Sequence, residues 1–237
     1  MVRDLLRADP DDLYLAFHAE RYAFVLQTVG RYVAGPDARV LDIGSSKLTR
    51  LIHDAFGATV DSLGFGSDHD SPTGRHFALD LNHTEDRARW RAGLPRYDVV
   101  IMAEVIEHLH VSPVHVLGFL RTLLRPAGVL FVQTPNAAAF HKRIKLLLGR
   151  NPYELIREDP RNPGHFREYT AAELRRYAKA TGLSVEHCSY ENYFDYRFVR
   201  HGPYAAQPRW YLGLANVGYA LVPPPLKPGL SLVLRLQ

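Results

Sequence analysis

The sequence has 237 residues but only one cysteine, Cys188, so the chain cannot form an internal disulfide. Its apolar runs are also short. The run around residues 211–222 is interrupted by glycine and asparagine, ends before three prolines, and falls short of the ~20 residues that a membrane span needs. The N-terminus lacks the charged, apolar and small-residue succession of a signal peptide. We therefore expect a cytoplasmic protein without a transmembrane segment.

The chain also lacks a large excess of either positive or negative charge. The chain has 29 Lys and Arg residues against 25 Asp and Glu residues, a net charge of +4. Because the basic residues are spread along the chain, we expect no nucleic-acid partner. The exception is residues 140–150, FHKRIKLLLGR, where apolar residues recur at helical spacing between basic ones. This helix either exposes a basic face to water on a lid or meets an acidic substrate, a phosphorylated carrier or an anionic membrane.

The apolar segments have the lengths and spacing of an α/β protein. With 46% hydrophobic residues the chain can bury one core, so we expect a single domain over residues 1–237. Short apolar strands alternate with segments that can form helices, which is typical of βαβ units in a parallel sheet. The predicted strands are residues 39–43, 58–63, 76–80, 97–103 and 128–134.

Further elements flank this alternation. Apolar residues at helical spacing predict an N-terminal helix over residues 11–34. The pattern loosens after Thr134, and we expect a lid over residues 135–166. A capping box at Thr170 starts a helix that ends near Gly182. A sixth strand follows, then an aromatic and proline-rich insertion over residues 202–228 and a final antiparallel strand, LSLVLRLQ.

Four segments carry a resemblance to a known family. They are RVLDIGSSKLTRLI from Arg39, HFALDL from His76, YDVVIMAEVIEHL from Tyr97 and GVLFVQTPN from Gly128. In this order they resemble a class I S-adenosylmethionine-dependent methyltransferase, and the resemblance covers about residues 39–182. It implies a Rossmann-like, doubly wound sheet of about seven strands, mostly parallel with an antiparallel C-terminal strand. It also implies S-adenosylmethionine as the cofactor.

In this family the first strand ends in an acidic residue followed by Gly-x-Gly-x-Gly, which lies against the methionine part of the cofactor. Asp42 and Gly44 match this pattern, whereas Ser46 and Leu48 take the places of the second and third glycines. Ser45 and Ser46 could offer hydroxyl groups and amides at a helix N-terminus, where a carboxylate binds well. The alternative is an ordinary strand-to-helix turn with serine caps.

The resemblance assigns the other end of the cofactor to Asp80 and Leu81. Asp80 matches the acid that accepts a hydrogen bond from the adenine amino group, with Leu81 alongside the base. Alternatively, Asp80 caps a helix over residues 82–90. Gly64 occupies the position of the usual ribose-binding acid, so ribose recognition is unassigned. Ala103 and Glu104 match the segment beside the methionine and sulfonium groups.

Two histidines are candidates for catalysis. Glu104 and His108 are four residues apart in EVIEHL and would share one face of a helical turn. His108 is our first choice for the base that deprotonates a hydroxyl acceptor, and His165, in GHFREYT, is the second, although His165 could equally anchor the returning lid. We predict no bound metal, although some O-methyltransferases with a similar sequence bind a divalent ion, here at Glu104, Glu107 and His108. His108 could instead have only a packing role.

These observations predict an S-adenosylmethionine-dependent methyltransferase that methylates a hydroxyl of a small molecule, such as a sugar or another secondary metabolite. The alternative is a non-catalytic, methyltransferase-like binding module whose cofactor loop has degenerated at Ser46 and Leu48. A nucleotide-binding oxidoreductase is disfavoured because its Gly-x-Gly-x-x-Gly turn is absent.

Overall fold

The computed structural model describes Val2 and residues 11–159, 163–199 and 207–237. Within these residues, six α-helices are α1 (Leu13–Val29), α2 (Lys47–Phe56), α3 (Pro113–Thr122), α4 (Phe140–Leu147), α5 (Ala171–Ala180) and α6 (Arg209–Leu221). Eight strands are β1 (Arg39–Ile43), β2 (Thr59–Gly64), β3 (His69–Ser71), β4 (Gly74–Ala78), β5 (Tyr97–Ala103), β6 (Leu124–Pro135), β7 (Leu183–Glu191) and β8 (Gly229–Leu236).

The strands form one sheet with the order β3-β4-β2-β1-β5-β6-β8-β7. Strands β4, β2, β1, β5 and β6 pair in parallel, and β8 runs antiparallel between β6 and β7. The predicted Rossmann-like sheet is therefore confirmed. The unpredicted strand β3 pairs antiparallel with β4. Its polar sequence, HDS, carries no strand periodicity, so β3 depends on pairing with its neighbour.

Helices cover both faces of the sheet. Along β1, Val40 belongs to a buried cluster that includes residues of α1 and α2. The next residue, Leu41, belongs to a second cluster that includes residues of α3 and α5. Because successive strand residues point to opposite faces, burial on both sides explains why buried apolar residues are consecutive in β1, at Val40 and Leu41, and in β5, at residues 99–102.

The capping box at Thr170 is confirmed: its hydroxyl oxygen accepts from the Glu173 amide at 3.3 Å, and the Glu173 carboxylate accepts from the Thr170 amide at 2.9 Å. Gly182, just past this helix, has a φ of 69°, a conformation that favours glycine. The N-terminal helix stops at Val29, before the predicted residue 34. At Gly30 a Cβ atom would lie 3.0 Å from the Phe56 ring, so a close approach to α2 explains the glycine there.

Two other predicted segments differ in the structure. The continuous helix over residues 82–90 is replaced by two 3₁₀ turns, Leu81–Glu85 and Arg87–Arg89, because Asp86 interrupts it and caps the second turn through the Ala88 amide. In the predicted C-terminal insertion, residues 202–206 lie outside the described part of the chain, and α6 forms much of the remainder. Among the described helices, none is long and apolar enough to cross a membrane.

The strand order indicates where a ligand would bind. The chain leaves β1 toward β2 on one side and reaches β5 on the other, so the crossovers diverge at the carboxyl ends of β1 and β5. Open α/β sheets bind their ligands at such a switch point.

Candidate active site

A cavity of about 800 Å³ opens at the carboxyl ends of β1 and β5. It brings together eight of the ten site residues predicted from the sequence. Its wall also includes residues of α1, of α4 and of the segment 194–199. The eight predicted residues are Asp42, Gly44, Ser45, Ser46, Ala103, Glu104, His108 and His165.

The end of β1 is held to the start of α2 by side-chain hydrogen bonds. The buried Asp42 carboxylate accepts from the Thr49 hydroxyl at 2.6 Å. Burial raises the pKa of Asp42 to about 7, partly offset by this hydrogen bond. Ser46 caps α2 by accepting from the Leu48 amide at 3.1 Å, and Thr49 Oγ1 accepts from the Ser46 amide. The serine-cap interpretation therefore holds for Ser46, whose hydroxyl is engaged within the protein.

Gly44 and Ser45 form the exposed part of this turn. Gly44 has a φ of 79°, which a residue with a side chain rarely adopts. Leu48, at the third glycine position of the family pattern, is buried in the core cluster with α1. The two departures from glycine thus have structural explanations: Ser46 caps the helix and Leu48 packs beneath it.

Two buried carboxyl groups follow β5. Glu104 has a φ of 58°, an unfavourable conformation for a residue with a side chain, and its buried Oε1 has no hydrogen-bond partner. Glu107 is fully buried and accepts from the Thr134 hydroxyl at 2.9 Å, while its Oε1 also has no partner. Burial, and for Glu104 also the neighbouring Glu107, raises the pKa of both groups toward neutral pH.

His108 is oriented by the backbone of the segment that returns from the predicted lid. Its Nδ1 donates to the Gly164 carbonyl oxygen at 2.9 Å. A carbonyl oxygen only accepts, so this contact requires a proton on Nδ1, and neutral His108 then has a free electron pair on Nε2. That is the tautomer a general base needs.

His165 lies beside His108, with ring centroids 4.8 Å apart in an edge-to-face arrangement. Its Nδ1 contacts the Glu168 carboxylate at 3.2 Å. Burial, followed by the charge of His108, lowers the pKa of His165 to about 4. His165 is therefore neutral near pH 7, and both candidates for the base lie in the same part of the cavity wall.

The basic helix α4 was predicted either to expose a basic face to water or to meet an acidic partner, and the structure buries part of that face. Lys142 is buried, donates to the Asn136 carbonyl oxygen at 3.1 Å and forms an ion pair with Glu168. His141 and Lys145 line the cavity with it. The interpretation as a basic face in water is therefore wrong for Lys142, whose charge is compensated by Glu168. His141 Nδ1 is likewise buried, without a hydrogen-bond partner.

Helix α1 contributes residues to the site that were not predicted from the sequence. Arg21 lies in the cavity wall, is only 5% exposed, and its Nε has no hydrogen-bond partner. It interacts electrostatically with Asp42, Glu104 and Glu107. Phe17, one turn earlier, stacks on Phe194 with ring centroids 4.9 Å apart. Only the unusual arginine on a buried helix face could have suggested this role.

Asp80 and Leu81 are not among the cavity-lining residues. Asp80 caps the first 3₁₀ turn by accepting from the Asn82 amide at 2.9 Å, and Leu81 is buried in the core. One Asp80 oxygen therefore has a structural partner, and the adenine role remains a prediction. Asp68, near the unassigned ribose position, forms an ion pair with Arg91 and accepts from the Ala78 amide at 2.8 Å.

Within the described ranges, one cluster has the geometry to hold a metal ion. Potential ligand atoms of Glu107, His108 and His165 lie within 4.8 Å of one another. This set shares Glu107 and His108 with the metal alternative from the sequence but replaces Glu104 by His165. Carboxylate and imidazole ligands suit several divalent metals.

Comparisons with known proteins agree with this geometry. A family model described as a methyltransferase domain matches residues 15–188. A Mycolicibacterium smegmatis protein named "Probable S-adenosylmethionine-dependent methyltransferase" is 31% identical over 170 residues, covering 70% of this chain and 59% of that protein. The ubiquinone biosynthesis O-methyltransferase of Aeromonas salmonicida is 32% identical over 99 residues, covering 41% of this chain and 40% of that protein. The chain thus spans less than two thirds of either relative.

A solved structure shows the same fold. The 1,6-didemethyltoxoflavin-N1-methyltransferase of Burkholderia thailandensis, with bound 1,6-didemethyltoxoflavin and S-adenosylhomocysteine, superposes with a TM-score of 0.53. The match covers 100% of this chain and 87% of that one, at 17% sequence identity. At this identity the likeness concerns the fold alone.

Proposed function

Because the chain belongs to the class I S-adenosylmethionine-dependent methyltransferase family, we propose that it methylates a hydroxyl group of a small molecule, such as a sugar or another secondary metabolite. One observation carries the choice of a hydroxyl. His108 Nδ1 donates to the Gly164 carbonyl oxygen, which leaves Nε2 as a proton acceptor in the cavity wall. A hydroxyl acceptor needs such a base, whereas an acceptor that is already anionic does not.

Residues of the cavity wall around the ends of β1 and β5 fit the cofactor. Arg21 offers a buried guanidinium whose Nε lacks a partner, which suits the cofactor's carboxylate. The exposed turn at Gly44 and Ser45 lies at the N-terminus of α2, where an anion is also stabilised. The unpaired Glu104 oxygen suits the positive charge of a sulfonium group. We propose that these residues hold the methionine part of S-adenosylmethionine.

When bound, the cofactor supplies a methyl group activated by the positive sulfur. The protein's part is to hold the acceptor oxygen in line with that methyl group and to remove its proton. In our proposal His108 Nε2 takes the proton while the Gly164 carbonyl keeps the ring in one tautomer. Neutral His165 borders the same space, and Lys142 neutralises Glu168 beside it.

The two buried carboxyl groups can assist in orienting the acceptor. Their raised pKa values favour at least one proton on the pair near neutral pH. A protonated carboxyl group donates a hydrogen bond, whereas an ionised one only accepts. We therefore propose that Glu104 and Glu107 contact polar groups of the acceptor or cofactor.

Methyl-labelled S-adenosylmethionine tests this proposal. The purified chain should transfer label to members of a panel of sugars and phenols, and not to the same molecules with their hydroxyl groups replaced by hydrogen. Transfer only to amines would contradict the choice of a hydroxyl. Calorimetric titration without detectable cofactor binding would favour the alternative of a non-catalytic module.

We expect Asp80→Ala to weaken S-adenosylmethionine binding by roughly 1–3 kcal/mol if Asp80 accepts from the adenine amino group, because a buried donor would lose its partner. Calorimetric titration measures this change. Asp86→Ala is a matched control, since Asp86 caps the next 3₁₀ turn in the same way and has no proposed adenine contact. Equal affinity of the Asp80→Ala variant and the unmodified chain would remove the adenine assignment.

A second candidate mechanism uses a divalent metal at Glu107, His108 and His165, and the proximity of their ligand atoms favours it. A metal there would lower the pKa of the acceptor hydroxyl directly. In that case chelator should abolish activity, a divalent ion should restore it, and Glu107→Gln should weaken the restoration. Activity that does not respond to chelator supports the metal-free mechanism, which we favour.

A further inference from the structure

Helix α4 turns its polar side toward the protein and its apolar side toward water. Lys142, Lys145 and His141 lie in the cavity wall. On the opposite side, Leu147 is 81% exposed, and the apolar residues one and two turns earlier are also exposed. Surface helices normally show the reverse arrangement, with the apolar stripe facing the core. The exposed apolar residues on this helix and directly after it are Phe140, Ile144, Leu146, Leu147 and Leu148.

Helix α6 repeats this arrangement. Its buried residues, Leu212 and Tyr219, are seven apart and share one side of the helix. The opposite side has the spacing i, i+4, i+7 and i+11, which forms one continuous stripe. Every member of that stripe is a large, exposed apolar residue: Trp210, Leu214, Val217 and Leu221.

The inward sides of the two helices meet at one ring contact. The His141 ring of α4 contacts the Tyr219 ring of α6, with centroids 5.6 Å apart. We call the exposed apolar side chains of these two helices the apolar surface. A set of this size exceeds the scattered single apolar residues that soluble surfaces usually show.

The two segments that carry the apolar surface contain charged residues of one sign only, and the Asp195 carboxylate that contacts Asn216 of α6 is paired with Arg197. Residues 140–153 and residues 207–228 contain no Asp or Glu. The exposed charged residues on or directly after these helices are Arg143, Arg150 and Arg209. Trp210 and Tyr211 lie at the start of α6, and such side chains prefer the boundary between lipid and water. Apolar, aromatic and basic side chains without acidic ones are the composition of helices that lie on anionic membranes.

We propose that the apolar surface docks on an anionic lipid bilayer, with α4 and α6 lying in the interface. A second copy of the chain fits the same surface less well. A symmetric contact would place the arginines of one copy near those of the other, with no carboxylate in these segments to compensate them. Anionic phospholipid headgroups offer the missing negative charge, and the exposed apolar side chains of α4 and α6 would be buried among the acyl chains.

Docking would bring the cavity close to the lipid, because α4 lines the cavity with one side and carries part of the apolar surface on the other. A helix with its side chains is about 10–12 Å thick. If the chain carries out the proposed methyl transfer, this placement favours an amphiphilic acceptor that reaches the cavity from the bilayer. The docking itself does not depend on that activity.

Vesicle flotation with the full chain tests the docking. The chain should float with vesicles of phosphatidylcholine mixed with phosphatidylglycerol, bind phosphatidylcholine vesicles at least about 10-fold more weakly, and lose binding as salt is raised. The double variant Leu147→Glu/Leu214→Glu should bind the anionic vesicles at least about 10-fold more weakly than the unmodified chain, because it places charge in both stripes.

The control variant Ala55→Glu/Ala172→Glu adds the same charge at exposed helical positions of α2 and α5. It should lose less than about 2-fold, since each added charge lies outside the apolar surface. Equal binding of both variants, or no binding of the unmodified chain to anionic vesicles, would overturn the proposal. So would a dimer, seen by light scattering, that Leu147→Glu/Leu214→Glu separates while vesicle binding is absent. Because flotation needs no methyl transfer, failure of the proposed activity leaves this result interpretable.

Discussion

Replacing His108 by alanine is expected to reduce turnover of a hydroxyl acceptor by ~100-fold or more, because general-base catalysis contributes about that much. His108 lines the cavity, and its Nδ1 proton is engaged by the Gly164 carbonyl oxygen, so Nε2 is available to take the acceptor's proton. Steady-state rates with the methylated acceptor measure the loss. Calorimetric affinity for S-adenosylmethionine should stay nearly unchanged.

A second substitution separates the base from a structural role. The side-chain amide of asparagine can occupy the position of Nδ1 and donate to Gly164, but it has no nitrogen that accepts a proton. His108→Asn should therefore lose as much turnover as His108→Ala while keeping more of the wild-type thermal stability. Full activity of either variant at every pH tested would exclude His108 as the base and leave His165 or positioning alone.

Replacing Arg21 by methionine is expected to weaken S-adenosylmethionine binding by roughly 10- to 150-fold, because a hydrogen bond to a charged group is worth about 1.5–3 kcal/mol. Arg21 is buried, and its Nε lacks a hydrogen-bond partner within the protein. Methionine keeps much of the alkyl packing and removes the charge. Calorimetric titration at fixed ionic strength measures the change.

Arg21→Lys is the matched control. Lysine retains the positive charge but not the planar guanidinium, so we expect a smaller loss of affinity than with methionine. If Arg21 only compensates the nearby acids, Arg21→Met should lower thermal stability and leave the affinity for the cofactor unchanged. That outcome would contradict a role for Arg21 in binding the cofactor's carboxylate.

Local sequence patterns were sufficient to predict much of the fold. Consecutive apolar residues in β1 and β5 are buried because both faces of the sheet are covered, and such consecutive residues predict a strand that is buried on both sides. The capping box at Thr170 is a short-range signal that depends on two residues three apart, so it could be read before the structure. Strand β3 could not be predicted in this way, because its polar residues become a strand only by pairing with β4.

Part of the site could also be predicted. Gly44 and Ala103 end parallel strands, and the ends of neighbouring parallel strands necessarily meet at one edge of a sheet. His165 was a candidate from its sequence context, but its contact with His108 joins residues that are far apart in the chain. The role proposed for Glu168 had no local signal, and that of Arg21 had only the unusual place of an arginine on a buried helix face, since their partners come from other elements.

The sequence by itself determined the alternation of helical segments with the parallel strands β1, β2, β4, β5 and β6, the turn at Gly44 and the amphipathic spacing of α4. Tertiary structure alone decided which side of α4 faces water. Periodicity records that residues share one side of a helix, but the direction of that side depends on what packs against it. Here the cavity takes Lys142 because Glu168, from a distant segment, compensates its charge. The apolar side of α4 is consequently left outside.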